Sequence, residues 1–138
     1  MNKKVYFAGA IRGGRQDAEV YAEVIRYIQK TDIVLTEHIG NVALNVTERS
    51  RDKEQEIYIQ DTNWLRESDI VIAECTHTSL GVGYELGYAE SRGILCHIFY
   101  KNSMTQLSAM LNGNSNFYIH PYENMQEMYE IIDEILKN

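Results

Sequence analysis

Short apolar runs alternate along this chain with segments whose apolar residues recur at helical spacing. The runs predict five β-strands, at residues 4–9, 32–38, 69–73, 94–100 and 117–120, the last stopped by Pro121. The segments between and after them predict helices at residues 17–30, 54–67, 82–92, 105–111 and 123–136. Regular alternation of strands and helices indicates a parallel sheet covered on both faces. We therefore expect a single-domain α/β three-layer sandwich over residues 1–138, flavodoxin-like or Rossmann-like, whose strand order the spacing leaves open.

Two of the predicted helices have an apolar side that should face the sheet. In the helix at residues 54–67 we expect Ile57, Trp64 and Leu65 to point inward. The last helix has the clearest amphipathic pattern. Its apolar side consists of Met125, Met128, Ile131, Ile132 and Ile135. Residues 40–51 are weakly patterned and predict a loop.

Composition and charge narrow the class of protein. The 138 residues are 44% hydrophobic and 24% charged, which is typical of a globular domain with a real core. The formal net charge of −7 argues against nucleic-acid binding over a broad surface, which needs a basic face. No apolar run approaches the roughly 20 residues of a membrane span, and no signal-peptide pattern precedes the first strand. Cys75 and Cys96 lie in apolar runs and read as free thiols, so we expect a cytoplasmic protein.

A glycine-rich loop follows the first predicted strand. Its sequence, Gly9 to Arg15, matches neither the dinucleotide G-x-G-x-x-G spacing nor the Walker pattern. Arg12 and Arg15 beside three glycines favour an anion. The alternative is a tight strand-to-helix turn with arginines in solvent.

We interpret the stretch from Ala73 to Gly87 as the segment around which the chain is organised; it begins at the end of the buried-strand pattern of residues 69–73. Ligands of open α/β sheets collect at the carboxyl ends of strands, where helix N-termini favour phosphate. Glu85 is placed here in the first turn of a helix, so the helix dipole is expected to keep it ionised, and we interpret it as a nucleophile. Three glycines around it, Gly81, Gly83 and Gly87, suggest a close approach of backbone to a ligand. The alternative is a surface acid that only balances the dipole.

The remaining candidate groups carry less information. From its position alone, Asp61 is predicted to be a solvent-facing residue of a helix. It can take part in the site only if the fold brings it there. The four histidines, His38, His77, His97 and His120, share no ligand spacing with a cysteine or an acid. We therefore expect no metal and no cofactor.

Five blocks of sequence, in order and with short gaps, resemble one enzyme family. The blocks are Tyr6-Phe7-x-Gly9-x-Ile11-Arg12-Gly13-Gly14-Arg15, Val34-Leu35-Thr36-Glu37-His38, Gln60-Asp61-x-x-Trp64-Leu65, Ser79 to Gly87, and Leu107-Ser108-Ala109-Met110. They are similar to the 2′-deoxynucleoside 5′-monophosphate N-glycosidases of the nucleoside 2-deoxyribosyltransferase superfamily. The resemblance covers about residues 4 to 112. It departs from the family at Ala10, where relatives have a serine that contacts phosphate.

The resemblance implies a role for each matching residue. Glu85 would attack C1′ of the sugar, Tyr6 would orient it, and Asp61 would position the substrate or transfer a proton. The implied substrate and phosphate contacts are Gly9, Ile11, Arg12, Gly13, Ser79 and Gly81, with His38 on the nucleobase side. The family forms homodimers, in which Ser108 and Met110 would complete the neighbouring site.

The implied activity is hydrolysis of the N-glycosidic bond of (2′-deoxy)nucleoside 5′-monophosphates through a covalent glycosyl-glutamate. The free base and (deoxy)ribose 5-phosphate are the expected products. Three alternatives stay open: transfer of deoxyribose between bases, hydrolysis of a ribonucleotide such as CMP, and a nucleotide-binding module without activity. Base preference is not predicted.

Overall fold

The computed structural model describes residues 2–10, 15–36 and 50–137, and its elements alternate as the pattern predicts. Residues 11–13 and 38, which include three implied phosphate contacts and the implied base contact, lie outside these ranges. The elements, numbered as they occur, are β1 (Lys4–Gly9), α1 (Arg15–Gln29), β2 (Ile33–Val34), α2 (Arg51–Glu67), β3 (Ile70–Glu74), α3 (Leu80–Ser91), β4 (Leu95–Lys101), α4 (Ala109–Asn112), β5 (Phe117–Tyr122) and α5 (Met125–Lys137).

The five strands form one parallel sheet in the order β2-β1-β3-β4-β5. The predicted fold class is confirmed. The chain runs from β1 outward to β2 and then returns past β1 to β3, so the strand order reverses between β1 and β3. A crevice opens at such a reversal, at the carboxyl ends of the strands. Gly9 is paired with Glu74 at this edge, which makes the segments leaving β1 and β3 neighbours.

Two apolar cores lie on opposite faces of this sheet. On one face α1 and α5 cover side chains of β1, β3 and β4, such as Phe7, Ile72 and Phe99. On the other face α2 and α3 cover alternate residues of the same strands, including Tyr6, Ala73 and Ile98. The alternation follows from the two-residue period of a strand. It places Tyr6 on the face that carries α3.

Most element boundaries differ from the prediction by one to four residues, and for β2, β5 and α4 the contacts of single residues explain the difference. Within the described residues β2 pairs through Ile33 and Val34, and Leu35 N donates to Val5 O at 2.9 Å. At Thr36 the side-chain hydroxyl takes the place of the backbone, accepting from Phe7 N at 2.9 Å and donating to Phe7 O at 2.8 Å. β5 continues through Pro121 to Tyr122, which an edge strand tolerates because one of its sides needs no ladder hydrogen bonds. α4 begins only after Ser108, whose side chain caps it.

One packing prediction was wrong. Ile57 is 50% exposed, and residues 51–60 of α2 are exposed throughout. Leu65 is buried and Trp64 half-buried, so only the C-terminal part of α2 packs on the sheet. On α5, Met128 and Ile132 are buried, and Met125, Ile131 and Ile135 pack around them as predicted. In the described part of the chain, no helix has the length and apolar character to cross a bilayer.

Candidate active site

The end of β1 is shaped by a close contact with α1. A Cβ at Gly9 would lie 2.7 Å from two ring carbons of Tyr21, so a glycine is needed for the ring to approach the strand. The Tyr21 hydroxyl accepts a hydrogen bond from Ala10 N at 3.0 Å. Tyr21 therefore fixes the backbone at the point where the glycine loop leaves the sheet.

The segment after β3 is held by a buried acid that sequence reasoning missed. Glu74 is only 3% exposed and accepts hydrogen bonds from Thr76 N at 3.1 Å, Thr76 Oγ1 at 2.5 Å and Tyr122 Oη at 2.6 Å. Thr76 Oγ1 in turn accepts from Lys101 N at 2.9 Å. An acid that ends an otherwise apolar strand was the available signal, because a buried carboxylate must find partners.

Ser79 begins α3 as its N-cap. Its hydroxyl accepts from Val82 N at 3.2 Å and its backbone is extended. Gly81 lies beside it, where a Cβ would be 3.7 Å from Ser79 Oγ. Added Cβ atoms at Gly83 and Gly87 would meet nothing within 4 Å. Packing within the described chain therefore does not require these two glycines.

Tyr6 and Glu85 meet on the α3 face of the sheet. Tyr6 is 1% exposed, and its hydroxyl donates a short hydrogen bond to Glu85 Oε2. Burial raises the pKa of Tyr6 far above its ordinary value, and the nearby charges of Glu85 and Asp61 raise it further. The phenol therefore stays protonated and acts only as a donor to the carboxylate.

The ionisation of Glu85 differs from the prediction. Glu85 is the sixth residue of α3, in its second turn and not its first, and burial raises its pKa to about 7. The Tyr6 hydrogen bond lowers this pKa and the Asp61 charge raises it. Desolvation of the carboxylate therefore outweighs any help from the helix dipole, which fades beyond the first turn.

Asp61 belongs to the same cluster. It lies on α2, is partly exposed, and has a pKa raised to about 6 by burial. Its charge acts on both Tyr6 and Glu85. Asp61 is therefore half-buried and not the fully solvent-facing residue that its position alone favoured, and the pKa values of both carboxyl groups are raised toward neutrality.

A thiol stands near this cluster. Cys75 follows β3 and packs at the edge of the core on the α3 face. Burial, together with the Glu74 and Glu85 charges, raises its pKa to about 12. The group is thus a neutral thiol at physiological pH and is not an activated nucleophile. Cys96, the other cysteine, is buried and also free.

Ser108 and Met110 lie apart from this cluster in the sequence, on α4. Ser108 Oγ caps that helix by accepting from Met110 N at 3.2 Å, and the Met110 side chain is 82% exposed. Their predicted role in a neighbouring subunit's site stays a prediction. Within the described ranges, no three histidine, cysteine or acidic side chains converge to hold a metal ion.

Comparison with known sequences gives a match over most of the chain. The sequence profile described as nucleoside 2-deoxyribosyltransferase matches residues 5–128. The chain is 42% identical to the 5-hydroxymethyl-dUMP N-hydrolase of Tetraodon nigroviridis, and the alignment covers 98% of each protein. It is 44% identical to the Rattus norvegicus protein of the same name, over 86% of this chain and 76% of that relative.

A solved structure is similar in fold. The CMP N-glycosidase of Clostridium botulinum superposes with a TM-score of 0.66, covering 95% of this chain and 99% of that one. The two sequences are 18% identical, so this likeness concerns the arrangement of strands and helices alone.

Proposed function

Because this chain belongs to the nucleoside 2-deoxyribosyltransferase family, as its five sequence blocks predicted, we propose that it hydrolyses the N-glycosidic bond of 2′-deoxynucleoside 5′-monophosphates. The observation that carries the proposal is the hydrogen bond from Tyr6 to Glu85, on the sheet face that α3 covers, together with the Asp61 charge that acts on both. Relatives over 40% identical are named for hydrolysis of 5-hydroxymethyl-dUMP. That nucleotide is the first substrate to test.

In the first step the Glu85 carboxylate attacks C1′ of the sugar. The bond from C1′ to the base nitrogen breaks through an oxocarbenium-like state, and an ester of deoxyribose forms on Glu85. The base leaves with the bonding electron pair and takes a proton from Asp61 or from solvent. The absence of a 2′-hydroxyl eases this step, because an electron-withdrawing group beside the developing cation is missing.

In the second step water attacks C1′ and displaces Glu85. Asp61, now a carboxylate, accepts the proton of that water, and deoxyribose 5-phosphate leaves. A pKa of about 6 suits a group that gives and takes a proton near neutral pH. The Tyr6 hydroxyl keeps Glu85 aligned in both steps, since it donates to one carboxylate oxygen and leaves the other for C1′.

We propose that the 5′-phosphate binds between the segment after β1 and the start of α3. The pairing of Gly9 with Glu74 makes these two segments neighbours, and free N–H groups at a helix N-terminus favour an anion. Ser79 and Gly81 contribute from α3, and Gly9, Ile11, Arg12 and Gly13 from the glycine loop. His38 is the proposed contact on the base side.

We further propose a homodimer built on the outer surfaces of α2, α3 and α4. Large apolar side chains are exposed there, among them Leu80 at 93%, Met110 at 82% and Tyr84 at 56%. Tyr58 and Tyr84 lie side by side, with hydroxyl oxygens 3.4 Å apart. Contiguous exposed apolar surface marks an interaction site, and a second copy would bring Ser108 and Met110 to its neighbour's Glu85.

A cytoplasmic location is also proposed. Cys75 and Cys96 are both free thiols, as expected in a reducing compartment. Cell fractionation with antibody detection tests this, and recovery of the protein in a secreted or oxidising fraction would contradict it.

The test of function is chromatography of free base after incubation with 5-hydroxymethyl-dUMP, dUMP, dGMP, CMP and the matching nucleosides. We expect base release from a deoxynucleotide, with Glu85→Gln abolishing turnover while nucleotide binding, measured by calorimetry, persists. Retained turnover in Glu85→Gln would refute the nucleophile assignment. Adding a second free base distinguishes transfer from hydrolysis, because a transferase would make a new nucleotide.

A further inference from the structure

His77 contacts Asp17 across the crevice. His77 Nδ1 lies 2.5 Å from Asp17 Oδ2, although the residues belong to different sides of the proposed phosphate site. Asp17 is in the first turn of α1, the helix that follows the glycine loop. His77 is in the segment between β3 and α3, two residues before the N-cap Ser79. The contact therefore joins the two segments between which the phosphate is proposed to bind.

The rest of the segment after β3 is anchored differently. Thr76 is tied to Glu74 and to β4, so the chain is fixed up to that residue. Thr78 is exposed, and Ser79 Oγ is engaged with α3 itself. Within the part of the chain that the structure describes, His77 is thus a side chain of this segment that contacts α1, and its position sets where Ser79 and the start of α3 lie relative to α1.

The pair also concerns a carboxylate that is largely buried. The Asp17 side chain is 15% exposed, so its carboxylate is largely removed from water, whereas His77 is 43% exposed. The Asp17 charge already acts on Tyr21, the residue that holds Ala10 N. An unpaired carboxylate here would repel a phosphate bound by the neighbouring N–H groups. Asp17 Oδ2 has no hydrogen-bond partner among the described residues, and the His77 imidazole nitrogen, 2.5 Å away, is the group that faces it.

We infer that His77 is a positioning residue for the 5′-phosphate, acting through Asp17. This inference rests on the proposed function, since it concerns the phosphate end of the same site. It differs from a direct phosphate contact in one respect: the effect of losing His77 depends on the charge of Asp17. Removal of His77 leaves an uncompensated carboxylate, whereas removal of both charges together restores neutrality.

The experiment measures kcat and KM for a deoxynucleotide and for its nucleoside in His77→Ala, Asp17→Asn and the double variant. We expect His77→Ala to raise KM for the monophosphate about tenfold, the order of one charged hydrogen bond, with less than a twofold change for the nucleoside. Asp17→Asn should raise it less. The double variant should recover part of the loss caused by His77→Ala, and His77→Gln, which can still donate to Asp17, should stay close to the wild type.

The matched control is Thr78→Ala, which changes the exposed neighbour in the same segment and should leave both KM values unchanged. Equal effects of His77→Ala on nucleotide and nucleoside, or a double variant worse than either single one, would overturn the inference. A binding readout separates this from the proposed function: 2-deoxyribose 5-phosphate should stabilise the wild type against heat more than it stabilises His77→Ala. If no nucleotide is hydrolysed but this difference persists, the positioning role holds and the hydrolase proposal fails; equal stabilisation of both proteins rejects the positioning role.

Discussion

The Tyr6 hydroxyl donates its hydrogen bond to Glu85 from 79 residues away in the sequence, across the face of the sheet that α3 covers. Two opposing effects meet in this contact. Burial raises the pKa of Glu85, and the phenol lowers it by stabilising the charged carboxylate. The outcome, a pKa of about 7, leaves a substantial fraction of Glu85, the proposed nucleophile, ionised at neutral pH.

Tyr6→Phe should move the acidic limb of the pH profile upward. Loss of the donor raises the pKa of Glu85, so the active carboxylate appears only at higher pH. We expect kcat/KM at pH 6.5 to fall by about tenfold to a hundredfold, because one hydrogen bond to a charged group is lost together with the alignment of Glu85. The value of kcat/KM should recover in part by pH 8.5. Steady-state kinetics from pH 5 to 9 measure this. An unshifted limb with uniformly lower kcat would mean that Tyr6 aligns Glu85 without tuning it.

Asp61→Asn should move the same limb the opposite way. The Asp61 charge raises the pKa of Glu85, so a neutral amide lets Glu85 ionise at lower pH. If Asp61 also supplies the proton to the leaving base, kcat falls at every pH while the limb shifts downward. The nucleotide's own phosphate titrates near pH 6, so each variant is compared with the wild type on the same substrate. A limb that rises in pH would contradict the electrostatic coupling of the two acids.

Ser79→Ala should raise KM for a monophosphate more than for its nucleoside. The loss of the N-cap also destabilises α3, by about 1 kcal/mol. Ser50→Ala is a matched control, because Ser50 caps α2 with the same 3.2 Å geometry, accepting from Lys53 N. Both variants should show similarly lower melting temperatures. Only Ser79→Ala should raise the KM for the monophosphate more than the KM for the nucleoside. Equal changes of KM for nucleotide and nucleoside would argue against a phosphate role for Ser79.

A histidine pair outside the site should make the fold sensitive to acid. His97 Nδ1 and His120 Nε2 are 2.8 Å apart on β4 and β5, and burial together with His120 lowers the pKa of His97 to about 4. The unfolded chain binds this proton near pH 6.5, so stability is full above that pH and declines between about 6.5 and 4. After allowance for partial exposure, the loss should be about 1–2 kcal/mol.

Urea denaturation at several pH values measures this loss. His97→Phe removes the titrating group and can keep the stacking with Tyr118, whose ring centroid is 4.8 Å away. The difference in stability between variant and wild type should therefore shift in favour of the variant as pH falls from 6.5 to 4. Parallel pH profiles for the two proteins would show that His97 does not carry the effect.

Mixing two inactive homodimers tests the proposed shared site. In the proposed dimer each site combines Glu85 of one subunit with Ser108 and Met110 of the other. Glu85→Gln and the double variant Ser108→Ala/Met110→Ala therefore damage parts of a site that come from different subunits. Random exchange of subunits gives half mixed dimers with one intact site each, so activity should return to about a quarter of the wild type. Glu85→Gln mixed with Tyr6→Phe is the control and should show no gain over the average of the two. No recovery after verified exchange, or a monomer in light scattering, would contradict the proposal.

Much of this architecture could be read from local patterns. The alternation of two-residue and helical periods predicts the five strands, the parallel sheet and the amphipathic α5, because each period records which face of an element is buried. Boundaries were less accurate, since Thr36 ends β2 with its side chain and Pro121 is tolerated at an edge. The inward assignment of Ile57 failed because helical spacing marks an apolar face without saying what covers it.

Local patterns in the chain were enough to predict the elements and their order, and the five blocks predicted the family and singled out Glu85 as the candidate nucleophile. Three relationships became visible only in the folded chain: the Asp61 charge acts on Glu85, Glu74 anchors the segment after β3, and His77 contacts Asp17. It also replaced the expected dipole-stabilised carboxylate with one raised to a pKa of about 7. The reason is that burial and charge at a point in space are summed over residues far apart in the chain, whereas periodicity and spacing record only what lies within a few residues.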